Sequence, residues 1–335
     1  MANLKEVLNI ERQKISPEKE QTNEINRILK DFIEKLKKEL KNNRIKADVF
    51  VGGSFAKGTV IKKNKYDVDI FVRFDKKHKE ISELTEKILK KICTFQKIHG
   101  SRDYFQIKIK DNLLFEIIPV MKIPRPKKAE NITDLSYFHV NYVKKKIKSN
   151  KKLVNGIRLA KAFCHAQKCY GAESYIKGFS GYALELLIIK YGSFEKFLKE
   201  ISKAKDKIVL FDKKQFKNKQ EVLMNINQSK LESPIIFIDP TFKERNALAA
   251  LSIETFEKFK NKAIAFLKKP TLNYFEDKKI DFNKLKKKYL NKKEFVIIKI
   301  ATDRQEGDIA GSKLLKFYKF FLNEVSDLFI IKNSE

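Results

Sequence analysis

The chain has 335 residues, of which 42% are hydrophobic and 34% charged. This composition is typical of a globular protein and argues against an intrinsically disordered one. The length of the chain predicts two or three domains. No apolar run approaches the ~18 residues of a membrane span, and neither a secretory signal nor a cysteine framework is evident, so we expect a cytoplasmic protein with no membrane partner. The net charge of +31 is compatible with a nucleic-acid partner but does not identify one, since abundant lysine is also typical of a solvated surface.

The first third of the chain predicts a small mixed α/β unit. Apolar side chains recur at helical spacing in some stretches and alternate with period two in others. In chain order the elements are helix 20–42, strand 47–51, strand 66–74, helix 80–95, strand 104–109 and strand 113–120. The last two strands are joined by a hairpin-like turn. Together they favour a mixed sheet covered by helices.

The rest of the chain predicts mainly helices. The pattern is helical from about 135 to 270, with a loop-rich interruption over 205–243. Ser180 is typical of an N-cap before an apolar helix over 183–191. Further on, a strand is predicted over 295–300, followed by a final amphipathic helix with one apolar stripe: Leu314, Tyr318, Phe321, Val325 and Leu328.

Acidic residues on two predicted strands give the strongest chemical signal. Asp67 and Asp69 stand two apart on a strand, so their side chains lie on the same face. Glu116 interrupts an otherwise apolar strand, where a charge is costly unless it is paired or bound to a metal. An Asp-x-Asp pair alone is more often a solvated strand face, but the third acid favours a site for Mg²⁺. Two such ions can activate an attacking hydroxyl and stabilise a leaving pyrophosphate.

A glycine–serine turn precedes the acidic strand. Gly53 and Ser54 offer backbone N–H groups and a hydroxyl between a strand and a helix, and Lys57 follows closely. Such donors suit a triphosphate. The turn and the acids together therefore predict a nucleotide-binding site with a metal.

These motifs resemble those of a known family. The stretch GGSFAKGT, followed by YDVDIFVRF, resembles the signature of the DNA polymerase β-like nucleotidyltransferase superfamily. Three further blocks, over 134–143, 158–194 and 238–252, are similar to the archaeal (class I) CCA-adding enzymes, which are tRNA nucleotidyltransferases. The resemblance runs from about residue 20 to 270 and more faintly to about 322.

The resemblance implies an α+β fold in three parts. A polymerase β-like catalytic head with a mixed sheet would span 1–145. A mainly helical central domain that binds nucleotide and tRNA would span 146–270. A short α/β C-terminal RNA-binding body with a shortened tail would span 271–335.

The implied reaction is template-independent addition of C, C and A to the 3′ end of tRNA. CTP and ATP would be the substrates, two Mg²⁺ ions the cofactors, and the tRNA acceptor stem and 3′ end the partner. Two alternatives stay open: a terminal transferase that adds A or U to other RNAs, and a catalytically silent RNA-binding protein. The oligomeric state is also open, a homodimer included.

The resemblance assigns roles to individual residues. It implies three metal-binding carboxylates, one hydroxyl on the triphosphate, two further groups that grip the triphosphate and two that contact the nucleotide and the growing end. In that order they are Asp67, Asp69 and Glu116; Ser54; Lys161 and Tyr170; His139 and Arg245. Without the resemblance the last four would be interpreted as structural: a snorkelling lysine, a packed tyrosine, a packed or surface histidine and an ion-paired arginine.

Three features depart from the family pattern. Leu135, Ser136 and Tyr137 stand where the family usually has Arg, Thr and Pro, which puts one base- or phosphate-contacting role in doubt. Glu116 stands where Asp is common, and it is one methylene longer. The family also continues into a longer tail domain that holds the tRNA elbow.

Overall fold

The computed structural model describes residues 3–277, 281, 283, 298, 300–302 and 307–328. The predicted strand over 295–300 and much of the predicted domain 271–335 lie outside the described residues. The bounds 1–145, 146–270 and 271–335 remain a prediction.

A five-stranded mixed sheet forms the N-terminal part of the fold. Its strands are β1 (Ala47–Val51), β2 (Tyr66–Phe74), β3 (Gln96–Ile98), β4 (Tyr104–Lys110) and β5 (Leu113–Met121). They lie in the order β1-β2-β5-β4-β3. Strands β2 and β5 are parallel, and the other neighbouring pairs are antiparallel. The predicted mixed sheet is confirmed.

Helices cover this sheet on its apolar face. The helices of this part are α2 (Lys19–Asn42), α3 (Gly53–Ala56) and α4 (Ile81–Leu89), whereas the first helix, α1 (Leu4–Ile15), packs in the core of the central part. Helix α2 buries one stripe of apolar side chains at helical spacing. In this stripe the Phe32 ring contacts the Phe115 ring of β5 edge to face, with 5.3 Å between the ring centroids. The predicted helix over 80–95 ends earlier, at Leu89, and β3 follows it. Three residues are too few to show a strand period, so β3 escaped prediction.

The central part is built mainly of helices packed on a second core. They are α5 (Ser136–Ser149), α6 (Lys152–Ala166), α7 (Gly181–Tyr191), α8 (Phe194–Lys203), α9 (Lys219–Asn225) and α10 (Ile253–Lys268). Ser180 accepts a hydrogen bond from the Ala183 N–H, so its predicted N-cap is confirmed. Phe163 and Phe259 lie at the centre of this core, and Val7 and Ile15 of α1 pack in it as well.

The stretch predicted to be loop-rich contains a small sheet. Its strands are β6 (Ile208–Leu210), β7 (Ile235–Asp239) and β8 (Phe242–Asn246), in the order β6-β7-β8. All five residues of β7 are buried, and a short continuous apolar run carries no alternation by which to recognise it. Strand β7 matters for the site because it ends at Asp239.

The predicted final helix is present as α11 (Gly307–Ser326). Its Asp308 carboxylate accepts a hydrogen bond of 2.8 Å from the Ser174 N–H, which ties α11 to the loop before α7. None of the helices in the described part of the chain is long and apolar enough to cross a membrane.

Candidate active site

The three predicted carboxylates lie on one face of the parallel pair β2–β5. Asp69 is the register partner of Glu116, and Asp67 is the partner of Leu114. Paired positions on neighbouring strands share a face and are ~4.8 Å apart, so the Asp69 and Glu116 side chains are neighbours. Asp67 is exposed, whereas Asp69 and Glu116 are half-buried.

Burial and mutual repulsion disfavour charge on these groups. Burial first, and then Asp69 and Asp67, raise the pKa of Glu116 to about 7. Burial likewise raises the pKa of Asp69, with Asp67 adding to the shift and Lys57 opposing it. Gln106 donates a hydrogen bond of 2.9 Å to Glu116.

This donor set fits a divalent cation, because hard carboxylate oxygens are its preferred ligands and a cation would relieve their repulsion. In the described part of the chain no three acidic, histidine or cysteine side chains are gathered closely enough to enclose a metal ion as they stand. The carboxylates share a face without forming a closed cage.

The turn after β1 touches the acidic face. Gly53 has φ +58°, and a Cβ on it would overlap the Asp69 carboxylate. The Gly52 N–H donates to the Asp69 carbonyl at 2.8 Å. Only glycine allows this close approach, which places Ser54, the next residue in α3, beside the acids.

Lys57 and Lys161 meet in a buried cluster that was not predicted as a unit. Both ammonium groups contact the Glu185 carboxylate of α7, Lys57 at 2.6 Å and Lys161 at 3.1 Å. The Thr59 hydroxyl donates to the same carboxylate at 2.8 Å. Sequence reasoning missed Glu185, although an acid in an otherwise apolar helix is the same signal that pointed to Glu116.

Tyr170 lies beside this cluster. Its ring stacks on His165 at 3.8 Å, and its hydroxyl is so close to Gly181 that a Cβ there would lie 2.8 Å from it. Burial and then the charge of Glu185 raise the pKa of Tyr170, which keeps the phenol protonated. Tyr170 and Lys161, predicted as neighbours in function, converge at Gly181.

His139 and Arg245 meet at a second buried acid, Asp239. The His139 Nε2 lies 3.1 Å from Asp239 Oδ2, and the Arg245 guanidinium lies 2.7 Å from the same oxygen. The Tyr182 hydroxyl donates to Oδ1 at 3.0 Å, and its ring stacks on His139 at 4.1 Å. Asp239 and Tyr182 were missed, since neither stands out from its neighbours in the sequence.

The pKa shifts of this second cluster follow from its packing. Burial alone would raise the pKa of Asp239, but His139, Arg245 and the Thr241 N–H outweigh burial and lower it. Burial lowers the pKa of His139, although the nearby Asp239 carboxylate acts to raise it. Lys57 also lowers the pKa values of both His139 and Asp69, so its charge is within electrostatic reach of both clusters.

The segment that departs from the family pattern has a structural role here. Asp134 is buried, and its carboxylate accepts from the Met121 N–H at 2.8 Å and from Arg102. The Tyr137 ring lies 3.8 Å from the guanidinium carbon of Arg73, a cation–π contact. Tyr137 thereby anchors α5 to the end of β2.

Two domain families match the chain in succession. A nucleotidyltransferase domain matches residues 33–154, and the second domain of tRNA nucleotidyltransferase matches residues 155–276. The first match contains the carboxylates and the glycine–serine turn. The second contains Lys161, Glu185 and Asp239.

Relatives of the chain agree with these matches. The chain is 45% identical to the CCA-adding enzyme of Nanoarchaeum equitans over 62% of this chain and 52% of that protein. It is 31% identical to the CCA-adding enzyme of Methanocaldococcus jannaschii over 99% of this chain and 74% of that protein. The chain thus spans about half the length of the first relative.

A solved cytoplasmic RNA terminal U-transferase shares the fold. It has a TM-score of 0.61 at 12% identity and covers 82% of this chain and 98% of its own. At this identity the likeness concerns the fold alone. The predicted polymerase β-like α+β fold is confirmed.

Proposed function

The chain belongs to the family of archaeal CCA-adding enzymes, and from this premise we propose that it adds C, C and A to the 3′ end of tRNA from CTP and ATP. The observation that carries the proposal is the pairing of Asp69 with Glu116 against the Gly53 turn. It joins a carboxylate set suited to a metal with a turn suited to a triphosphate.

Asp67, Asp69 and Glu116 would hold Mg²⁺, two ions in this proposal. When bound, these ions would favour attack of the RNA 3′-hydroxyl on the α-phosphate and stabilise the leaving pyrophosphate. The half-buried position of Asp69 and Glu116 limits competing water ligands. The parallel register of β2 and β5 sets the relative positions of the carboxylates without a bound substrate.

Ser54, Lys57, Lys161 and Tyr170 would bind the triphosphate. The two lysines bring positive charge toward the acidic face, which is consistent with their opposing the rise that burial causes in the pKa of Asp69. Tyr170 stays protonated and can donate its hydroxyl hydrogen. Phosphoryl transfer depends mostly on such positioning and charge stabilisation, with no covalent enzyme intermediate.

His139 and Arg245 would contact the nucleotide and the growing RNA end. Asp239 lies against both: it accepts a hydrogen bond from Arg245, and its Oδ2 is 3.1 Å from His139 Nε2 in a buried cluster. A side chain held in this way loses little further entropy on binding. The roles that the sequence predicts for His139 and Arg245 therefore depend on Asp239.

The basic surface would hold the tRNA acceptor stem. A net charge of +31 attracts phosphates, and binding should weaken as salt is added. A tRNA-processing role also agrees with a cytoplasmic location. Sedimentation of the purified protein with and without tRNA would decide between a monomer and a homodimer.

The test is nucleotide incorporation into defined tRNA ends. Transcripts that end at the discriminator base, after the first C and after the second C are incubated with Mg²⁺ and each nucleoside triphosphate alone. We expect C, C and then A, in that order, and no addition to tRNA that already carries CCA. Addition of A or U regardless of the RNA end would show that the protein is a terminal transferase. Binding of tRNA without incorporation would show that it is an RNA-binding protein without this activity.

A further inference from the structure

Glu185 is a fully buried carboxylate at the junction of the two halves of the molecule. It lies in α7, in the middle of an apolar sequence, and its side chain is 0% exposed. Its partners come from both sides: Lys57 and Thr59 follow α3 in the N-terminal part, and Lys161 lies in α6 of the central part. No role described so far requires an acid at this position.

Each carboxylate oxygen of Glu185 accepts hydrogen bonds from its own partners. Oε2 accepts from the Lys57 ammonium at 2.6 Å. Oε1 accepts from the Thr59 hydroxyl at 2.8 Å and from the Lys161 ammonium at 3.1 Å. Lys161 also donates to the Thr59 hydroxyl at 3.0 Å. The carboxylate therefore fixes the direction of two long, otherwise flexible side chains.

The charges of this cluster do not cancel. Two ammonium groups face one carboxylate, which leaves one positive charge in excess when all three are ionised. Burial alone would raise the pKa of Glu185, but Lys57 and Lys161 outweigh it and keep the acid ionised. A buried excess charge is costly unless an anion neutralises it. Burial also lowers the pKa of Lys161, so a further anion beside the two lysines would favour the charged form of Lys161.

The anion has a place beside the acidic face. Lys57 directly follows α3, and a Cβ on Gly53, the first residue of α3, would overlap the Asp69 carboxylate. The turn that carries Lys57 therefore runs from the candidate metal site to Glu185. An ammonium has three N–H donors, and Lys57 uses one of them on Glu185. The remaining donors suit the oxygens of a phosphate chain.

We propose that Glu185 is a positioning residue that holds Lys57 and Lys161 in the geometry that receives the triphosphate of the nucleotide. The proposal rests on the function proposed above, because it assigns the ligand of the same site. It differs from a purely structural role, in which Glu185 would only join the two halves of the molecule.

The first test compares Glu185→Gln with wild type in direct binding of ATP, CTP and inorganic tripolyphosphate, each with Mg²⁺, by titration calorimetry without RNA. The amide keeps the shape and one acceptor but removes the charge. We expect the affinity for all three ligands to fall about tenfold to a hundredfold, the range of a charge-assisted hydrogen bond. Affinity for tRNA should not change.

Glu200→Gln is the matched control. Glu200 lies in the neighbouring helix α8, and its side chain is 52% exposed and pairs only loosely with Lys203 at 3.4 Å. The same chemical change there should leave triphosphate binding unaltered. If Glu185→Gln binds ATP and tripolyphosphate as tightly as Glu200→Gln does, the proposal is overturned.

A double substitution separates positioning from structure. If Glu185 acts through the lysines, Glu185→Gln combined with Lys57→Met should lose less triphosphate affinity than the product of the two single losses. A loss equal to that product would overturn the proposal. In steady-state kinetics, Glu185→Gln should raise the KM for CTP and ATP and leave the KM for tRNA unchanged.

A second pair of variants covers the case in which Glu185→Gln does not fold. Thr59→Val removes the hydroxyl that bridges Glu185 and Lys161, while Thr59→Ser keeps it. We expect several-fold weaker tripolyphosphate binding for the valine variant than for the serine variant, and equal binding would overturn the proposal. If wild type binds triphosphate in a Glu185-dependent way but adds nothing to tRNA, the proposed function fails and the role of Glu185 stands.

Discussion

Asp69 and Glu116 face each other in register across the parallel strands β2 and β5, which sets two carboxylates side by side in a half-buried position. Two like charges this close raise the free energy of the folded protein unless one is protonated or a cation lies between them. The arrangement therefore trades stability of the metal-free protein for affinity toward a divalent ion.

The first prediction concerns activity. Asp69→Asn and Glu116→Gln should each lower kcat for nucleotide addition by about 10³-fold or more, because metal-assisted charge stabilisation contributes several kcal/mol and each ~1.4 kcal/mol is tenfold. Asp31→Asn, an equivalent change at an exposed position of α2, should be neutral. Single-turnover incorporation measures the effect, and an active Asp69→Asn protein would remove Asp69 from the catalytic set.

The second prediction concerns stability and pH in the metal-free protein. The folded pKa of Glu116, about 7, lies above its ordinary 4.5, so between these values the folded state binds more protons than the unfolded state and stability falls as pH rises. The penalty is absent below about pH 4.5, is complete above about pH 7, and amounts to roughly 3 kcal/mol at most.

Urea unfolding in EDTA at several pH values would measure this loss. Glu116→Gln should be more stable than wild type near neutral pH, with the difference shrinking toward pH 4.5. Added Mg²⁺ should reduce the difference. If the stabilities of the two proteins changed with pH in the same way, the raised pKa of Glu116 in the folded protein would be contradicted.

Much of this site was accessible from the sequence, for physical reasons that differ between residues. Asp67 and Asp69 were found because strand periodicity dictates which side chains share a face. Glu116 was found because a charge in an apolar strand requires a partner. Their register across β2 and β5 depends on which strands pair, which no local pattern specifies.

The missed residues act through long-range contacts. Glu185 meets Lys57 across 128 residues of sequence and Asp239 meets Tyr182 across 57, so their partners are brought together only by the fold. Strand β7 was missed because its buried run lacks alternation, and Asp239 was missed with it. His139 and Arg245 were predicted from family resemblance, while the acid that orients them was not.

The third prediction uses glycine geometry. Gly53→Ala should abolish nucleotide addition, because the new methyl group would overlap the Asp69 carboxylate in addition to straining a backbone at φ +58°. Gly192→Ala is the control, since Gly192 has φ +82° with nothing near its added Cβ. Both should lose roughly 1–2 kcal/mol of stability from backbone strain.

Only the Gly53 variant should lose activity as well. Thermal unfolding and the incorporation assay on the same preparations separate the two effects. Equal residual activity in the two variants would mean that contact between the turn and Asp69 does not matter for catalysis.

The fourth prediction concerns the network around Asp239. Asp239→Asn should cost about 3 kcal/mol of folding stability, because breaking a buried ion pair leaves the Arg245 charge without its partner. Tyr182→Phe removes one hydrogen bond to the same carboxylate and should cost only about 1 kcal/mol. The asparagine variant should also raise the KM for nucleotide or RNA, since His139 and Arg245 both lose their orienting acid. Denaturant unfolding and steady-state kinetics on both variants test this, and equal costs would show that Asp239 acts as an ordinary hydrogen-bond acceptor whose charge contributes nothing.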